Sequence, residues 1–221
     1  DKIIEMKNIH KLFPSVVALD NITFDLYPGE VHVLIGENGA GKSTLMKILS
    51  GVYTPTQGTI VINGKEYSKL TPKESMEHGI SVIFQELSVI DELSIAENLF
   101  VGKLPTTRAL GVLPMVDHKY INQRAQELLD QVGLRVKPTT MVENLSISQK
   151  QLVEIAKALA SNAKVLIMDE PTSSLNLEEV NNLFTIIRAL KKSGVGIVYI
   201  SHKMRELREI GDRITVLKDG K

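Results

Sequence analysis

Residues able to bind phosphate are concentrated in the stretch GENGAGKST, Gly36 to Thr44. In the spacing Gly36-x-x-x-x-Gly41-Lys42-Ser43, successive backbone N–H groups can surround phosphate oxygens. Lys42 supplies charge to the β- and γ-phosphates, and the Ser43 hydroxyl can ligate Mg²⁺. The alternative is a glycine-rich turn beside a surface lysine, but the strand before the stretch and the helix after it favour a nucleotide site. The residues predicted to bind the nucleotide here are Gly36, Asn38, Gly39, Ala40, Gly41, Lys42, Ser43 and Thr44.

Two adjacent acids, Asp169 and Glu170, end the hydrophobic run VLIMDE. In an open α/β sheet, ligands bind at the carboxyl ends of the strands, so we expect these acids beside the phosphate loop. Neighbouring strand residues point to opposite faces, which indicates different tasks for the two acids. We predict that Asp169 helps to hold Mg²⁺ and that Glu170 is the general base for the attacking water. Each acid could instead cap the following helix.

Strand and helix patterns alternate around these residues, which predicts an α/β fold with a mainly parallel sheet. The run VHVLIG, ending at Gly36, is a buried strand before the phosphate loop, and KSTLMKILSG continues as a helix that ends at Gly51. The runs ISVIF, KVLIMDE and GIVYISH are further buried strands. The run TIVINGKEY is predicted to be a hairpin that turns at Asn63 and Gly64.

Residues 86–161 are predicted to be helical. Ser94 and Glu97 form a capping box, and a longer helix runs from about His118 to Val132, where Gly133 stops it. One face of that helix carries Ile121, Ala125, Leu128, Leu129 and Val132. We therefore predict a helical subdomain at 86–161, inserted into a nucleotide-binding α/β core formed by 1–85 and 162–221.

Composition argues against several classes of function. The sequence has 26 basic and 26 acidic residues and no cysteine, so we expect no nucleic-acid partner, disulfide or cysteine metal site. The longest apolar runs are far shorter than the ~20 residues of a membrane-spanning helix, so we expect no direct membrane insertion. The sequence begins at Asp1 and stops after a turn signal at Asp219-Gly220, so we expect it to be part of a longer chain.

Further motifs follow the phosphate loop in a characteristic order. Gln85 follows ISVIF, NLSISQKQ precedes a helix, DEPTSSL follows the carboxylate strand, and His202 follows IVYIS. In this order the chain resembles an ATP-binding cassette (ABC) ATPase, with its Q-loop, signature, Walker B and D-loop segments and switch histidine. The stretches GENGAGKSTLMKILSGVYTPTQGTIVINGK, VEIAKALA and SHKMREL are similar to the first cassette of bacterial ribose, xylose and galactose importers, in which two cassettes are fused.

The resemblance implies a fold and a set of roles. The fold is a P-loop NTPase core with a mainly parallel sheet, an N-terminal antiparallel β part and the inserted helical subdomain, as one nucleotide-binding domain over 1–221. Phe13 is expected to stack on adenine, although it could be an ordinary core residue. Gln85 is expected to contact Mg²⁺ or the attacking water and to relay the nucleotide state to the helical subdomain. His202 is expected to contact the γ-phosphate, whereas a lone histidine is more often a surface or capping residue.

The signature segment departs from the family pattern. The usual sequence is Leu-Ser-Gly-Gly-Gln, whereas residues 145–149 read LSISQ. Ser146 and Gln149 still form a capping box, so the resemblance implies that Ser146, Ser148 and Gln149 can meet the γ-phosphate bound by a partner cassette. Ile147 stands where a glycine would allow closer approach. The segment SSLN at 173–176 also replaces the usual Ser-Ala-Leu-Asp, so we expect two composite sites of unequal strength.

The resemblance also implies an activity, cofactors and partners. The chain is expected to bind ATP and Mg²⁺ and to hydrolyse ATP, and so to energise import of a small solute, a monosaccharide. The expected partners are membrane permease subunits and a second cassette, either fused or as a dimer. The expected location is the cytoplasmic face of the membrane, through the permease.

Two other functions stay open at this point. A non-hydrolysing regulatory cassette is disfavoured by the intact Glu170 and His202 and favoured by the altered signature. A soluble ABC ATPase of DNA repair or translation is expected to carry a long coiled-coil or basic insertion between the phosphate loop and the signature. The insertion in this sequence is short, without sustained heptads or a basic block.

Overall fold

The computed structural model describes residues 1–84, 87–102, 106–109 and 113–221, with only the backbone described for 106–109 and 113–116. The predicted site residue Gln85 lies outside these ranges. The chain divides into two compact units. The first comprises Asp1–Gln85, Ala163–Ser173 and Asn181–Lys221, and the second comprises Glu86–Asn162 and Ser174–Val180. The phosphate loop, the two acids and His202 belong to the first unit.

The described strands and helices are as follows, in chain order. The strands are β1 (Ile4–Phe13), β2 (Val16–Leu26), β3 (Val31–Ile35), β4 (Gln57–Ile62), β5 (Lys65–Tyr67), β6 (Ile80–Ile83), β7 (Thr106–Ala109), β8 (Leu113–Val116), β9 (Val165–Asp169), β10 (Gly196–Ile200) and β11 (Arg213–Val216). The helices are α1 (Lys42–Leu49), α2 (Pro72–Glu77), α3 (Ile95–Leu99), α4 (His118–Gln131), α5 (Ile147–Ala160), α6 (Leu177–Lys192) and α7 (Met204–Ile210).

The first unit contains a parallel sheet with the strand order β11-β3-β10-β9-β6. Every neighbouring pair in it is parallel, which confirms the predicted mainly parallel sheet. Strands β9 and β10 are buried along almost their whole length, as expected of apolar strands in such sheets. Because parallel strands end at the same edge, β3, β9 and β10 bring the phosphate loop, Glu170 and His202 to one edge of the sheet.

An antiparallel sheet with the order β2-β1-β4-β5 forms the other layer of strands in this unit. It confirms the predicted N-terminal antiparallel part. The turn between β4 and β5 places Asn63 and Gly64 at φ values of 49° and 80°. Positive φ at both positions is the requirement of a type I′ turn, so the predicted hairpin is confirmed.

Helix α1 fixes the phosphate loop to the core. Leu45, Ile48 and Leu49 of this helix are fully buried in a hydrophobic cluster that also contains Met6 of β1 and Ile167 of β9. Each such side chain stabilises the fold by roughly 1.5–3 kcal/mol through burial. The loop at the start of α1 is therefore held by both sheets of the first unit.

The second unit is built mainly from α3, α4 and α5. Side chains cap the beginning of each helix: Ser94 with Glu97 at α3, Asp117 at α4, and Ser146 with Gln149 at α5. The predicted buried face of α4 is confirmed, because Ile121, Ala125, Leu128, Leu129 and Val132 are all buried. None of the helices in the described ranges has both the length and the apolar character needed to cross a membrane.

A strand pair also lies in the region predicted to be helical. Strands β7 and β8 pair antiparallel, with Thr106 opposite Val116 and Ala109 opposite Leu113. The expectation of helices throughout 86–161 is therefore wrong for this part of the chain. Each strand is only four residues long, and Pro114 disfavours a strand prediction because it lacks a backbone N–H.

Candidate nucleotide-binding site

The phosphate loop joins the end of β3 to the beginning of α1 and depends on glycine at two positions. Gly39 and Gly41 have φ values of 85° and 104°, in a region that favours glycine. A Cβ on Gly41 would lie 2.7 Å from the carbonyl oxygen of Ala18, whereas a Cβ on Gly39 would meet no atom within 4 Å. Gly41 therefore allows both the conformation and the close approach, and Gly39 allows the conformation alone.

The first turn of α1 offers unpaired N–H groups to an anion. The first intrahelical hydrogen bond runs from Leu45 N to Gly41 O over 2.9 Å, so the N–H groups of Lys42, Ser43 and Thr44 have no acceptor within the helix. These groups and the positive end of the helix dipole favour negative charge at this point. The backbone here can therefore bind phosphate oxygens.

Lys42 folds back over the loop. Its Nζ donates to the carbonyl oxygens of Gly36 at 2.7 Å and Glu37 at 3.0 Å, and the residue is buried. The hydrogen-bond partners of this ammonium group are neutral carbonyls, and a bound phosphate would supply a direct ionic partner. The geometry of Lys42 thus fits its predicted task.

A cavity of about 350 Å³ lies over the loop. Its lining residues are Val16, Ala18, Asn38, Gly39, Gly41, Lys42, Ser43, Thr44, Asp169 and Glu170. A larger cavity of about 900 Å³ lies beside Lys2 and Tyr27, but no residue of the phosphate loop lines it. The smaller cavity is the candidate nucleotide site, because predicted phosphate-binding residues and both acids line it.

Sequence reasoning missed some of this lining and included residues outside it. Val16 and Ala18 of β2 line the cavity, but their apolar side chains gave no indication of a binding role. The only sign in the sequence was that they belong to an apolar run after Phe13. Gly36 and Ala40, both predicted to bind the nucleotide, do not line it. Gly36 instead accepts the hydrogen bond from Lys42, and the oxygen of buried Ala40 accepts one from Gly220 N at 3.2 Å.

Asp169 ends β9 beside the hydroxyl of Ser43. Ser43 Oγ lies 3.5 Å from Asp169 Oδ2, at the limit of a hydrogen bond. Burial is the main cause that raises the pKa of Asp169, the charge of Glu170 raises it further, and Lys42 opposes both. A divalent cation would relieve this crowding of negative charge, and one carboxylate with a hydroxyl is an oxygen donor set of the kind that suits Mg²⁺. The residues present therefore fit the predicted metal.

Glu170 follows Asp169 in an unusual backbone conformation. Its φ is 47°, which is rare for a residue with a long side chain. Its Oε1 lies 3.1 Å from His202 Nδ1, and its backbone N donates to Ile200 O at 3.0 Å. The structure thus brings together the predicted base and the predicted switch histidine, and it stores backbone strain at the residue predicted to act on water.

Phe13 is placed differently from the other predicted residues. It ends β1, is 37% exposed, and packs edge-on against Tyr53 with ring centroids 5.5 Å apart. The ammonium of Lys11 lies 5.0 Å from the Phe13 ring centroid. The alternative of a buried core phenylalanine is therefore wrong. Phe13 does not line the cavity over the loop, so its contact with adenine stays a prediction.

The signature residues belong to the second unit. Ser146 Oγ accepts a hydrogen bond from Gln149 N at 3.3 Å, and Gln149 Oε1 accepts one from Ser146 N at 2.9 Å, which confirms the capping box. Ser146 and Ser148 hydroxyls lie 2.9 Å apart, and the Ile147 side chain is exposed. These residues form a polar helix start with an apolar side chain projecting beside it.

Asn176, in the D-loop segment SSLN, caps the beginning of α6. Its Oδ1 accepts from Glu179 N at 3.0 Å, and Glu179 Oε2 accepts from Asn176 N at 2.9 Å. A hydrogen bond from Ser148 and the one from Asn176 lower the pKa of Glu179. The loss of the usual carboxylate at position 176 therefore leaves the helix start intact.

A model of the family described as ABC transporter matches residues 19–173, which include the loop, both acids and the signature. The chain belongs to this family. It is 51% identical over 219 residues to the ribose import ATP-binding protein RbsA 1 of Rubrobacter xylanophilus, covering 99% of this chain and 43% of the relative. It is 54% identical over 217 residues to the D-allose import ATP-binding protein AlsA of Escherichia coli, covering 98% and 42%. This ABC chain thus spans less than half the length of these relatives.

Solved ABC cassettes share the fold. One cassette of an ABC transporter in its ADP conformation superposes with a TM-score of 0.87 at 27% identity, covering 100% of this chain and 89% of the other. A dimeric cassette in a post-hydrolysis state with ADP and Pi superposes with a TM-score of 0.81 at 27% identity, covering 98% and 95%. The resemblance to ABC ATPases and the predicted fold are confirmed, and relatives with sugar-import names agree with the narrower resemblance.

Proposed function

We propose that this chain binds and hydrolyses ATP to energise import of a small solute, a monosaccharide, through a membrane permease. The observation that carries the proposal is the cavity over the phosphate loop, where Lys42, Ser43, Asp169 and Glu170 converge beside His202. Relatives at 51% and 54% identity are named as ribose and D-allose import ATP-binding proteins. A cassette of the same fold is described with ADP and Pi bound, which supports hydrolysis at this type of site.

We assign the nucleotide contacts to the loop and its neighbours. The N–H groups at the beginning of α1 bind the phosphates, and Lys42 exchanges its two carbonyl partners for phosphate oxygens. Val16 and Ala18 give the cavity an apolar wall, and we assign Phe13 to the adenine ring. Ser43, Asp169 and Gln85 hold Mg²⁺, which neutralises developing charge on the phosphates when it is bound.

The chemical step is assigned to Glu170 and His202. Glu170 accepts the proton of the attacking water, and His202 donates a hydrogen bond to the γ-phosphate. In the structure the two side chains contact each other, with Glu170 Oε1 3.1 Å from His202 Nδ1. Occupation of the cavity would draw His202 toward phosphate and leave Glu170 free to accept a proton. Nucleotide binding can thus replace the contact of His202 with Glu170 by a contact of His202 with phosphate.

A second cassette completes the site. We assign Ser146, Ser148 and Gln149 to the γ-phosphate bound by a partner cassette, fused to this one or associated as a dimer. The helix start there is capped and polar, and a cassette of the same fold is described as dimeric. Because Ile147 is exposed at this point, its side chain limits how closely the backbone can approach phosphate. Two composite sites of unequal strength follow.

We assign the first unit to the ATP-binding core and the second to the helical subdomain that meets the permease. The chain then acts at the cytoplasmic face of the membrane through its partner, without insertion into the bilayer and without nucleic acid. A non-hydrolysing regulatory cassette is the competing assignment, because LSISQ differs from the usual signature.

Transport assays in vesicles test this function. Right-side-out membrane vesicles from cells that co-express the protein with its permease would be loaded with ATP and offered radiolabelled monosaccharides outside and, as a control, amino acids. We expect ATP-dependent uptake of a monosaccharide, and loss of uptake with Glu170→Gln while the protein still binds ATP. Uptake that continues with Glu170→Gln would contradict coupling to hydrolysis. Monosaccharide uptake without any ATP requirement would reject the proposal.

A further inference from the structure

Glu206 is a buried acid without a role in the chemistry described above. It lies in the first turn of α7, is 5% exposed, and does not line the nucleotide cavity. A buried carboxylate loses its hydration and therefore needs donors or a cation around it. The identity of those donors indicates what Glu206 holds in place.

Hydroxyl groups and one ammonium group surround the Glu206 carboxylate. Thr172 Oγ1 donates to Oε1 at 2.7 Å, while Tyr199 OH and Ser201 Oγ donate to Oε2 at 2.8 and 3.0 Å. Lys203 Nζ lies 3.4 Å from Oε1. Burial and the nearby carboxylate raise the pKa of Tyr199, so its hydroxyl remains a donor.

Three of these donors, Thr172, Ser201 and Lys203, come from the two segments that carry the proposed catalytic pair. Thr172 lies two residues after Glu170, and Ser201 and Lys203 flank His202 directly. Cross-links between the segments add to the carboxylate. Lys203 Nζ donates to Thr172 O at 2.9 Å and to Thr172 Oγ1 at 3.1 Å. Within the second segment, Lys203 N also donates to Ser201 Oγ at 3.1 Å. One carboxylate thus joins both segments.

The catalytic pair needs such support because packing does not supply it. The His202 side chain is 66% exposed, and its 3.1 Å contact with Glu170 is a single hydrogen bond. Glu170 is also held at a φ of 47°, a conformation that persists only where the surroundings impose it. The buried network around Glu206 adjoins both residues along the chain, through Thr172 on one side and Ser201 and Lys203 on the other.

We propose that Glu206 is a positioning residue that sets the separation of Glu170 and His202 by holding Thr172 and Ser201. The role rests on the proposed function, because it concerns the residues assigned to ATP hydrolysis. Glu206 itself touches neither the cavity nor the pair. Its removal should therefore change the rate of the chemical step and leave ATP binding almost unchanged.

The first test is steady-state ATP hydrolysis by the full chain with Glu206→Gln. Glutamine keeps the shape but replaces one acceptor oxygen with an N–H₂ donor, so the hydroxyl donors can no longer all be satisfied. We expect kcat to fall roughly 10- to 100-fold through misplacement of the pair, with the KM for ATP within about threefold of wild type. The matched control is Tyr199→Phe, which removes a donor to the same carboxylate from within the buried strand β10 and leaves the hydrogen bonds of Thr172 and Ser201 to Glu206 in place. We expect its kcat to stay within about twofold of wild type.

A coupled mutation separates positioning from general destabilisation. In a His202→Ala background no separation between Glu170 and His202 is left to set, so Glu206→Gln should lower kcat by less than about threefold further. A full multiplicative loss in that background would show that Glu206 acts on folding rather than on the pair. If Glu206→Gln does not fold, Thr172→Val and Ser201→Ala replace it, since each removes one donor.

A measurement without nucleotide completes the test. Amide hydrogen exchange at residues 170, 172, 173 and 200–203 should speed up about tenfold in Glu206→Gln and stay near wild type in Tyr199→Phe. Unchanged exchange in Glu206→Gln, together with unchanged kcat, would overturn the assignment. Absence of ATP turnover in the wild-type protein would instead reject the proposed function, and the exchange data would still decide whether Glu206 holds these segments.

Discussion

The positive φ of Glu170 should have a measurable cost in the stability of the folded chain. We consider the pair of substitutions Glu170→Gly and Glu170→Ala, which remove the same contact with His202 and differ only in a Cβ. The backbone hydrogen bonds from Glu170 N to Ile200 O and from Ser173 N to Glu170 O survive in both. The comparison therefore isolates the cost of holding a Cβ at a φ of 47°.

The magnitude follows from two opposing effects. A residue with a Cβ in the left-handed region costs roughly 1–2 kcal/mol. Glycine loses more conformational entropy on folding, at roughly 0.5–1 kcal/mol relative to alanine. Glu170→Gly should therefore be more stable than Glu170→Ala by roughly 0.5–1 kcal/mol, which corresponds to a Tm higher by about 1–4 °C for a chain of this size. At a position with negative φ the order would be reversed.

Differential scanning calorimetry of both variants, without nucleotide and at one protein concentration, measures this difference. Both variants should also lose ATP turnover, because both lack the carboxylate proposed to accept the proton of water. An alanine variant as stable as the glycine variant, or more stable, would refute strain at Glu170. The turn after β9 would then adopt this conformation without strain, and the positive φ would not be a cost of placing Glu170 beside His202.

The other predictions concern binding, pH and assembly. Lys42→Ala should weaken fluorescent ATP binding at least about tenfold by removing a charge-assisted contact, while Lys192→Ala on the exposed end of α6 should not; equal affinities would remove Lys42 from the site. Burial lowers the pKa of His32 in the folded chain. As the pH falls through about 6.5, the His32 imidazole therefore binds a proton in the unfolded chain but not in the folded chain. Stability to urea should therefore hold above pH 6.5 and fall below it, by up to about 1.4 kcal/mol per pH unit, and a flat profile would contradict the shift. The ATPase rate per chain should increase with protein concentration, and the double change Ile147→Gly and Ser148→Gly should raise it further. A rate that does not depend on concentration, for a protein confirmed to be a monomer, would contradict the composite site.

Local patterns in the sequence were sufficient for much of the fold. The apolar runs before Gly36 and at VLIM predict buried parallel strands because their periodicity leaves no polar face. Asn63 and Gly64 predict their turn because few residue types adopt positive φ at low cost. The strands β7 and β8 were missed, because both are short and β8 contains a proline.

The parts of the site that could not be predicted depend on contacts between distant residues. Val16 lines the cavity only because β2 passes the phosphate loop in three dimensions. Glu206 accepts a hydrogen bond from Thr172, which lies 34 residues earlier, and no sequence motif predicts this contact. The positive φ of Glu170 was also invisible, because glutamate does not favour that conformation. Motifs thus identified the chemistry, and the packing that orients it required coordinates.

The most direct test of the central claim is a single-turnover measurement of ATP cleavage with and without Glu170. Wild-type protein and Glu170→Gln, each with its partner cassette and Mg²⁺, would be mixed in excess over radiolabelled ATP and quenched in acid over a time course. We expect the wild type to convert ATP to ADP and phosphate, and Glu170→Gln to bind ATP with similar affinity but cleave it about 10²- to 10⁴-fold more slowly. Cleavage by Glu170→Gln at nearly the wild-type rate would contradict the assignment of Glu170 as the base.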